Sequence, residues 1–175
     1  PYWFATAYII LYLFTPLLNV AVKNMKREQL LMNIILLLLF FSISKSILPL
    51  NLEVDGKGYD ALWFLCVYLV AAYIRLHGIS FFKGFKRSFL SYLICCGGVL
   101  GIALLTRSVY LRTGRFDNIL NKTYEYNHIV NLLAAISILY AFYYIKIPDG
   151  KISDFIVRIA PHTFGVYLLH EHVDI

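Results

Sequence analysis

The chain has 175 residues, of which 60% are hydrophobic and 15% charged, with 16 Lys and Arg against 10 Asp and Glu. Soluble domains carry roughly 25% charge, and apolar runs as long as these cannot be wrapped inside so small a core, so the composition excludes a water-soluble globule and makes lipid the solvent. The net charge of +6 lies in short connectors between apolar runs, which is the pattern of membrane topology and not of a phosphate-binding face, so nucleic acid is not an expected partner.

The first run, Tyr2 to Val22, reads YWFATAYIILYLFTPLLNVAV and is long enough to cross about 30 Å of hydrocarbon. Its leading aromatics suit a membrane–water boundary, and Pro16 is expected to kink it. Lys23, Lys26 and Arg27 follow in a short basic connector. The second run, Leu30 to Leu48, is nearly all Leu, Ile and Phe until Ser42, Ser44, Lys45 and Ser46. Polarity so late in the run points to an end that lines protein or snorkels, and Pro49 stops it. A loop with Glu53, Asp55 and Asp60 comes next.

Gly58 to Gly78, GYDALWFLCVYLVAAYIRLHG, organises the chain. It is uncharged from Leu62 to Ile74, carries Trp63 and Phe64 at its front edge, and ends on Arg75 and His77. That is a membrane helix with a readable direction. After Lys83, Lys86 and Arg87 comes a fourth run, Ser88 to Thr106, in which Gly97 and Gly101 stand at the spacing that lets two membrane helices approach closely. Arg107 to Asn127 reads as the longest loop. His128 to Ile147 is a fifth run, Pro148-Asp149-Gly150 a turn, and Ile152 to Ile159 a short amphipathic helix suited to an interface. The final HTFGVYLLHEHVDI is too short to span by itself.

These elements predict an all-α fold, a polytopic transmembrane helical bundle with five full spans plus a partial sixth. Pro1 is not an initiator Met and no signal peptide is visible, so residues 1–175 read as part of a longer integral-membrane domain. The connectors after the first, third and fifth runs hold nine basic residues against five in the others. That places the first set in the cytoplasm and the chain, multi-pass, in the cell membrane.

No soluble catalytic signature is present, so chemistry is sought among polar groups at membrane depth. The sharpest group is His170, Glu171 and His172. A last helix starting near Thr163 would place His170 about 10 Å deep, where it is either a general base or ligand-orienting group, or a histidine bonded to a neighbouring helix. Arg75 is either a bidentate grip for a phosphate or an interfacial anchor. Trp3 and Trp63 either stack on a sugar or nucleotide ring or belong to the aromatic belt. Cys66, Cys95 and Cys96 read as packing residues, and no metal set is proposed. His77 reads as solvated, and His128 and His162 carry no assigned role.

Three stretches, YWFATAYIILYLFTPLLN, GYDALWFLCVYLVAAYIRLHG and FGVYLLHEHVDI, resemble in this order three landmarks of the acyltransferase 3 family. These are multi-pass membrane proteins that move acyl groups, usually acetyl, onto extracytoplasmic sugars. The resemblance implies a larger helical bundle of which this chain is the C-terminal half. The family's essential histidine lies in the first helices, so the main catalytic base maps to no position here. His170 matches the closing motif and is implied as a supporting residue. Arg75, Trp3, Trp63, Glu171 and His172 become substrate-binding candidates.

No bound cofactor is implied. Acetyl-CoA or another acyl-CoA is the co-substrate, and the partners are membrane lipid, that donor and a carbohydrate acceptor of the cell envelope. The edge with Arg75, Lys83, Lys86 and Arg87 suits the phosphates of coenzyme A, and the loop from Arg107 to Asn127 suits a carbohydrate. Two other classes fit the same bundle: a transporter or flippase for lipid-linked sugars, and a non-catalytic membrane subunit.

Overall fold

The structure, a computed structural model, describes residues 3–47, 57–114 and 122–163. Among the described residues it is all-helical, without a strand. The helices are α1 (Trp3–Asn24), α2 (Arg27–Leu38), α3 (Ala61–His77), α4 (Phe85–Thr113), α5 (Ile129–Tyr143) and α6 (Lys151–Ile159). A π turn, Leu39–Ile43, and one α turn, Ser44–Ile47, prolong α2.

Two helices, α1 and α4, are long and apolar enough to cross a membrane, with 22 and 29 residues. The apolar α3 and α5 are shorter, at 17 and 15 residues, against the roughly 20 that a perpendicular span takes. Pro16 sits within α1, which stays helical on both sides of it.

Local chemistry sets the boundaries. Asp60 caps α3, its Oδ1 accepting from the Trp63 backbone N–H at 2.9 Å. At the start of α2 the Lys26 N–H donates to Gln29 Oε1 at 3.0 Å. The largest departure from expectation is α4, which runs seven residues past Thr106. Arg107 and Arg112 therefore lie on a helix and not in the loop. Arginine is a strong helix former, so a charge ends the apolar run without ending the helix. The stop is Gly114, whose φ of 65° makes a left-handed cap that glycine adopts without steric cost.

The hub of the packing is α3. One core cluster joins Val22 at the end of α1, Leu30 and Ile34 of α2, and Val70 and Tyr73 of α3. A second joins Trp63 and Cys66 of α3 to Leu132 of α5, with Leu37 and Leu38 of α2 and Phe41 of the π turn against them. Hydrogen bonds tie the same helices: Tyr68 Oη donates to Asn19 Oδ1 at 2.8 Å, and Arg27 Nε to Tyr73 Oη at 3.2 Å. The pair α4 and α5 packs along its length. The small residue at their contact is Gly98, where an added Cβ would meet Val130 Cγ1 at 3.9 Å, whereas Gly97 and Gly101 meet nothing within 4 Å. The expected Gly97/Gly101 contact is thus replaced by Gly98. Apolar side chains such as Leu13 (72% exposed) and Leu105 (70%) coat the outside of α1 and α4.

Successive helices reverse direction, so the bundle has two chemically distinct ends. The starts of α1, α3 and α5 gather Trp3, Tyr59, Phe64 and Tyr126. The ends of α1, α3 and α5 meet the starts of α2 and α4 and carry the cationic connectors.

Candidate functional site

At the basic end, a cleft of about 790 Å³ opens between the last turn of α3, the segment after it, and the last turn of α5. Arg75, His77, Lys83, Tyr140, Tyr143 and Tyr144 are among its lining residues. Its walls are fixed by bonds that follow from the local sequence. Once α3 ends at Gly78, the freed N–H of Ile79 donates to Tyr140 Oη at 2.7 Å. Phe82 stacks on the Tyr140 ring, with centroids 5.3 Å apart. Ser88, fully buried, places its Oγ 3.0 Å from the carbonyls of both Phe82 and Gly84. The turn between α3 and α4 is thereby pinned to α5, and Lys83 is held facing the end of α3.

Two permanent cations and a histidine beside three tyrosines make a surface for an anion that also has a flat or apolar part. A guanidinium forks onto phosphate or carboxylate oxygens, and an ammonium adds a point charge. Across the Gly78–Ser80 segment lies a smaller groove of about 330 Å³, lined by Ile34, Leu38, Val70 and Ile136 with Arg27 at its rim. The His77 ring lies 5.0 Å from Tyr73, the acceptor of the Arg27 bond, so the two recesses share one wall.

At the aromatic end, Trp3 lies 4.4 Å from Tyr59 and 5.5 Å from Tyr126, and the two tyrosines lie 4.9 Å apart, all as ring centroids. Tyr59 and Tyr126 are exposed and Trp3 is half-buried. The loop beneath them is rigidly held. Tyr126 N–H donates to Lys57 O at 3.2 Å. Asn127, buried, donates from Nδ2 to Phe41 O at 3.1 Å while its own carbonyl accepts from Ser42 Oγ at 2.6 Å. Ser46 Oγ accepts from the Ile129 N–H at 3.1 Å. The π turn in α2 is what exposes the Phe41 carbonyl to Asn127, since a wider turn misaligns the helix's own ladder. Asn131 Nδ2 closes the loop onto the carbonyls of Glu125 and Thr123 at 2.8 and 3.2 Å. Of the late serines of the second run, Ser42 and Ser46 therefore line protein, while Ser44 donates to Phe40 O one turn back.

His128, at the mouth of α5, is 7% exposed and its Nδ1 accepts from the Val130 N–H at 3.4 Å. Burial pushes its pKa below the ordinary 6.5, which keeps the ring neutral and able to cap the helix.

The residues singled out in the sequence separate in space. Arg75 lines the basic cleft and Lys83 joins it there, while Lys86 and Arg87 are not among its lining residues. Trp3 stands at the opposite end, and the length of α3 from Ala61 to Arg75 puts about 21 Å between the two. Trp63 does neither of the things expected of it. It is 5% exposed and packed against Cys66 and Leu132, so its ring fills the core where α2, α3 and α5 meet. His170, Glu171 and His172 lie outside the described residues. His77 and the tyrosines of α5 were not foreseen as cleft residues. Their signal was the cluster Tyr140, Tyr143, Tyr144, whose i, i+3, i+4 spacing puts three rings on one helix face.

A family model described as an acyltransferase domain, Acyl_transf_3, matches residues 1–173. No curated protein and no solved structure matches the chain at a significant level. The match takes in both ends of the bundle and the helices between them, and the chain belongs to the acyltransferase 3 family.

Proposed function

We propose that the chain is part of a membrane enzyme that moves an acyl group, acetyl in the simplest case, from an acyl-CoA at the basic end to a carbohydrate hydroxyl at the aromatic end. The observation that carries the reading is the cleft at the end of α3, where Arg75, His77 and Lys83 stand around a recess of about 790 Å³. A nucleotide thioester brings phosphates for the cations, a flat base for Tyr143 and Tyr144, and a long arm that extends along the bundle. In this reading α2, α3 and α5 cross the membrane with α1 and α4, and the basic end faces the cytoplasm, where acyl-CoA is made.

The reaction joins the acceptor oxygen to the thioester carbonyl carbon and breaks the carbon–sulfur bond. The hydroxyl proton goes to a base, and the thiolate leaves as the free thiol of coenzyme A. Holding donor and acceptor in line supplies much of the rate, and a general base supplies a further share. His170 is assigned a supporting part and the main base is sought outside this chain. The exposed rings of Tyr59 and Tyr126 with Trp3 offer flat faces to the apolar side of a sugar.

The test is steady-state kinetics on the full-length protein in membranes, with donor and acceptor varied separately. Arg75→Ala should raise the donor KM about tenfold, the lower end of what a lost charged hydrogen bond of about 1.5 kcal/mol gives at an exposed site, and leave the acceptor KM in place. Trp3→Ala should do the reverse. A donor KM indifferent to Arg75→Ala, or one that moves with Trp3→Ala instead, overturns the assignment of the two ends.

A further inference from the structure

Among the described residues, α6 is the one of the six helices without a buried residue. Every residue of it except Ser153 is exposed, including Ile152 (72%), Phe155 (63%), Ile156 (44%) and Ile159 (44%). These four side chains are not scattered. At 100° per residue they fall within an arc of about 100°, while Lys151, Asp154 and Arg158 fall within about 60° on a separate flank. Val157 (68%) stands apart, about 100° outside that arc; an open apolar stripe bordered directly by cations is the pattern of a helix lying in a membrane surface.

Three features of the chain say what covers the stripe. First, α6 follows α5 by only seven residues, at the basic end, so it starts at the level where a membrane helix would emerge. Second, that end is predominantly cationic: residues 23–28, 75–87 and 146–158 hold ten Lys or Arg against three Asp or Glu, while the whole chain carries only +6. Third, Lys151 and Arg158 flank the apolar arc on the Phe155 side, the height at which long cationic stems reach headgroups while the ring sits deeper.

We propose that α6 is an interfacial helix, lying flat on the bilayer with Ile152, Phe155, Ile156 and Ile159 below the headgroups and Lys151 and Arg158 on anionic lipid. It rests on the membrane reading of the bundle and is independent of acyl transfer. One consequence concerns the cleft. Tyr143 ends α5 and Tyr144 caps it, seven residues before α6 begins, so a docked α6 fixes the mouth of the basic cleft at headgroup level.

The experiment uses the full-length protein reconstituted in vesicles, with Cys66, Cys95 and Cys96 replaced and single cysteines carrying an environment-sensitive fluorophore. Probes go at Ile152, Phe155 and Ile159, at Asp154 and Arg158 as polar-flank controls, and at Leu13 and Leu105 as membrane controls. Quenchers are a lipid spin-labelled high on its acyl chain and, in water, iodide. The vesicles are phosphatidylcholine alone or with phosphatidylglycerol added. Expected is several-fold stronger lipid quenching at 152, 155 and 159 than at 154 and 158, increasing with phosphatidylglycerol and falling when Lys151 and Arg158 are both changed to Glu. Iodide access at 155 equal to that at 154 overturns the proposal, because the stripe then faces water. Protection from iodide without lipid quenching overturns it too, because protein, a second copy included, then covers the stripe. Quenching indifferent to phosphatidylglycerol overturns the anionic-lipid part. If Leu13 and Leu105 also escape lipid quenching, the membrane reading itself fails. If they are quenched and 155 is not, the failure is that of α6 alone.

Discussion

At Gly58 a single missing carbon sets the geometry of the aromatic end. The residue has φ of 84°, and a Cβ built on it would stand 2.8 Å from the Asn127 backbone nitrogen and 2.8 Å from Tyr126 Cβ. Backbone, not a movable side-chain tip, is in the way. Gly58→Ala should therefore cost about 1–3 kcal/mol in stability and loosen the Trp3–Tyr59–Tyr126 contact. Thermal unfolding in detergent with near-ultraviolet circular dichroism reads both, and an unchanged midpoint would contradict the packing. His128 gives a pH prediction. Burial lowers its pKa, so at pH values between the folded and unfolded pKa the unfolded chain binds more protons than the fold. Its contribution is present above about 6.5 and is lost as pH falls through the folded value, where protonated Nδ1 can no longer accept from Val130. The unfolding midpoint should drop on acidification below about 6.5 in the native chain and stay flatter in His128→Gln. A lone cation closing an apolar run has to sit at a polar edge, so Arg75 was legible from its neighbours. Trp63 was not, because an aromatic one turn into a helix looks the same in sequence whether it faces lipid, a headgroup or another helix.

Among the elements, every described apolar run contains a helix, and the order of the helices follows from hydropathy. The ends are where hydropathy and helix part company. Arg107 and Arg112 end the apolar run of α4 but continue its hydrogen-bonded ladder, whereas Tyr144, Ile145 and Ile147, apolar around the single Lys146, lie beyond the end of α5. The π turn at Leu39–Ile43 has no signature in its own residues. It coincides with the Phe41 carbonyl that Asn127, far along the chain, takes up. The glycines of α4 belong to the same class of error: motif spacing selects Gly97 and Gly101, but the rotation of the helix against α5 selects Gly98. The prediction is a contrast within one helix. Gly98→Leu should destabilise by about 1–3 kcal/mol through overpacking against Val130, while Gly97→Leu and Gly101→Leu stay near the native midpoint. Equal effects at the three positions would mean that α4 is rotated from the orientation described.

For the whole molecule, what matters is that its two ends differ in kind. One end is built of aromatic rings over a hydrogen-bonded loop, and the other of cations around a cleft. The proposed transfer from a charged donor on one side of a membrane to an acceptor on the other needs such an asymmetry, and the asymmetry was already legible in the alternation of the connectors, nine basic residues after the first, third and fifth runs against five in the others. The cleft itself was not, since it forms from residues 61 positions apart, Ile79 and Tyr140, that only folding brings to 2.7 Å. The alternation predicts an absolute orientation. In the full-length protein with Cys66, Cys95 and Cys96 replaced, single cysteines at Lys26, in a connector, and at Lys86, in the first turn of α4, lie at the basic end, and ones at Lys57 and Glu125 lie at the aromatic end. An impermeant maleimide applied to intact cells should label positions 57 and 125 and reach 26 and 86 only after the membrane is opened. The reverse result would turn the bundle over and place the Arg75 cleft on the face without acyl-CoA. Labelling of all four from outside would show that α1, α2 and α3 do not alternate across the bilayer. Either outcome would remove the reason for assigning the donor to the cationic end, because the charge that suits a phosphate would then face the wrong compartment.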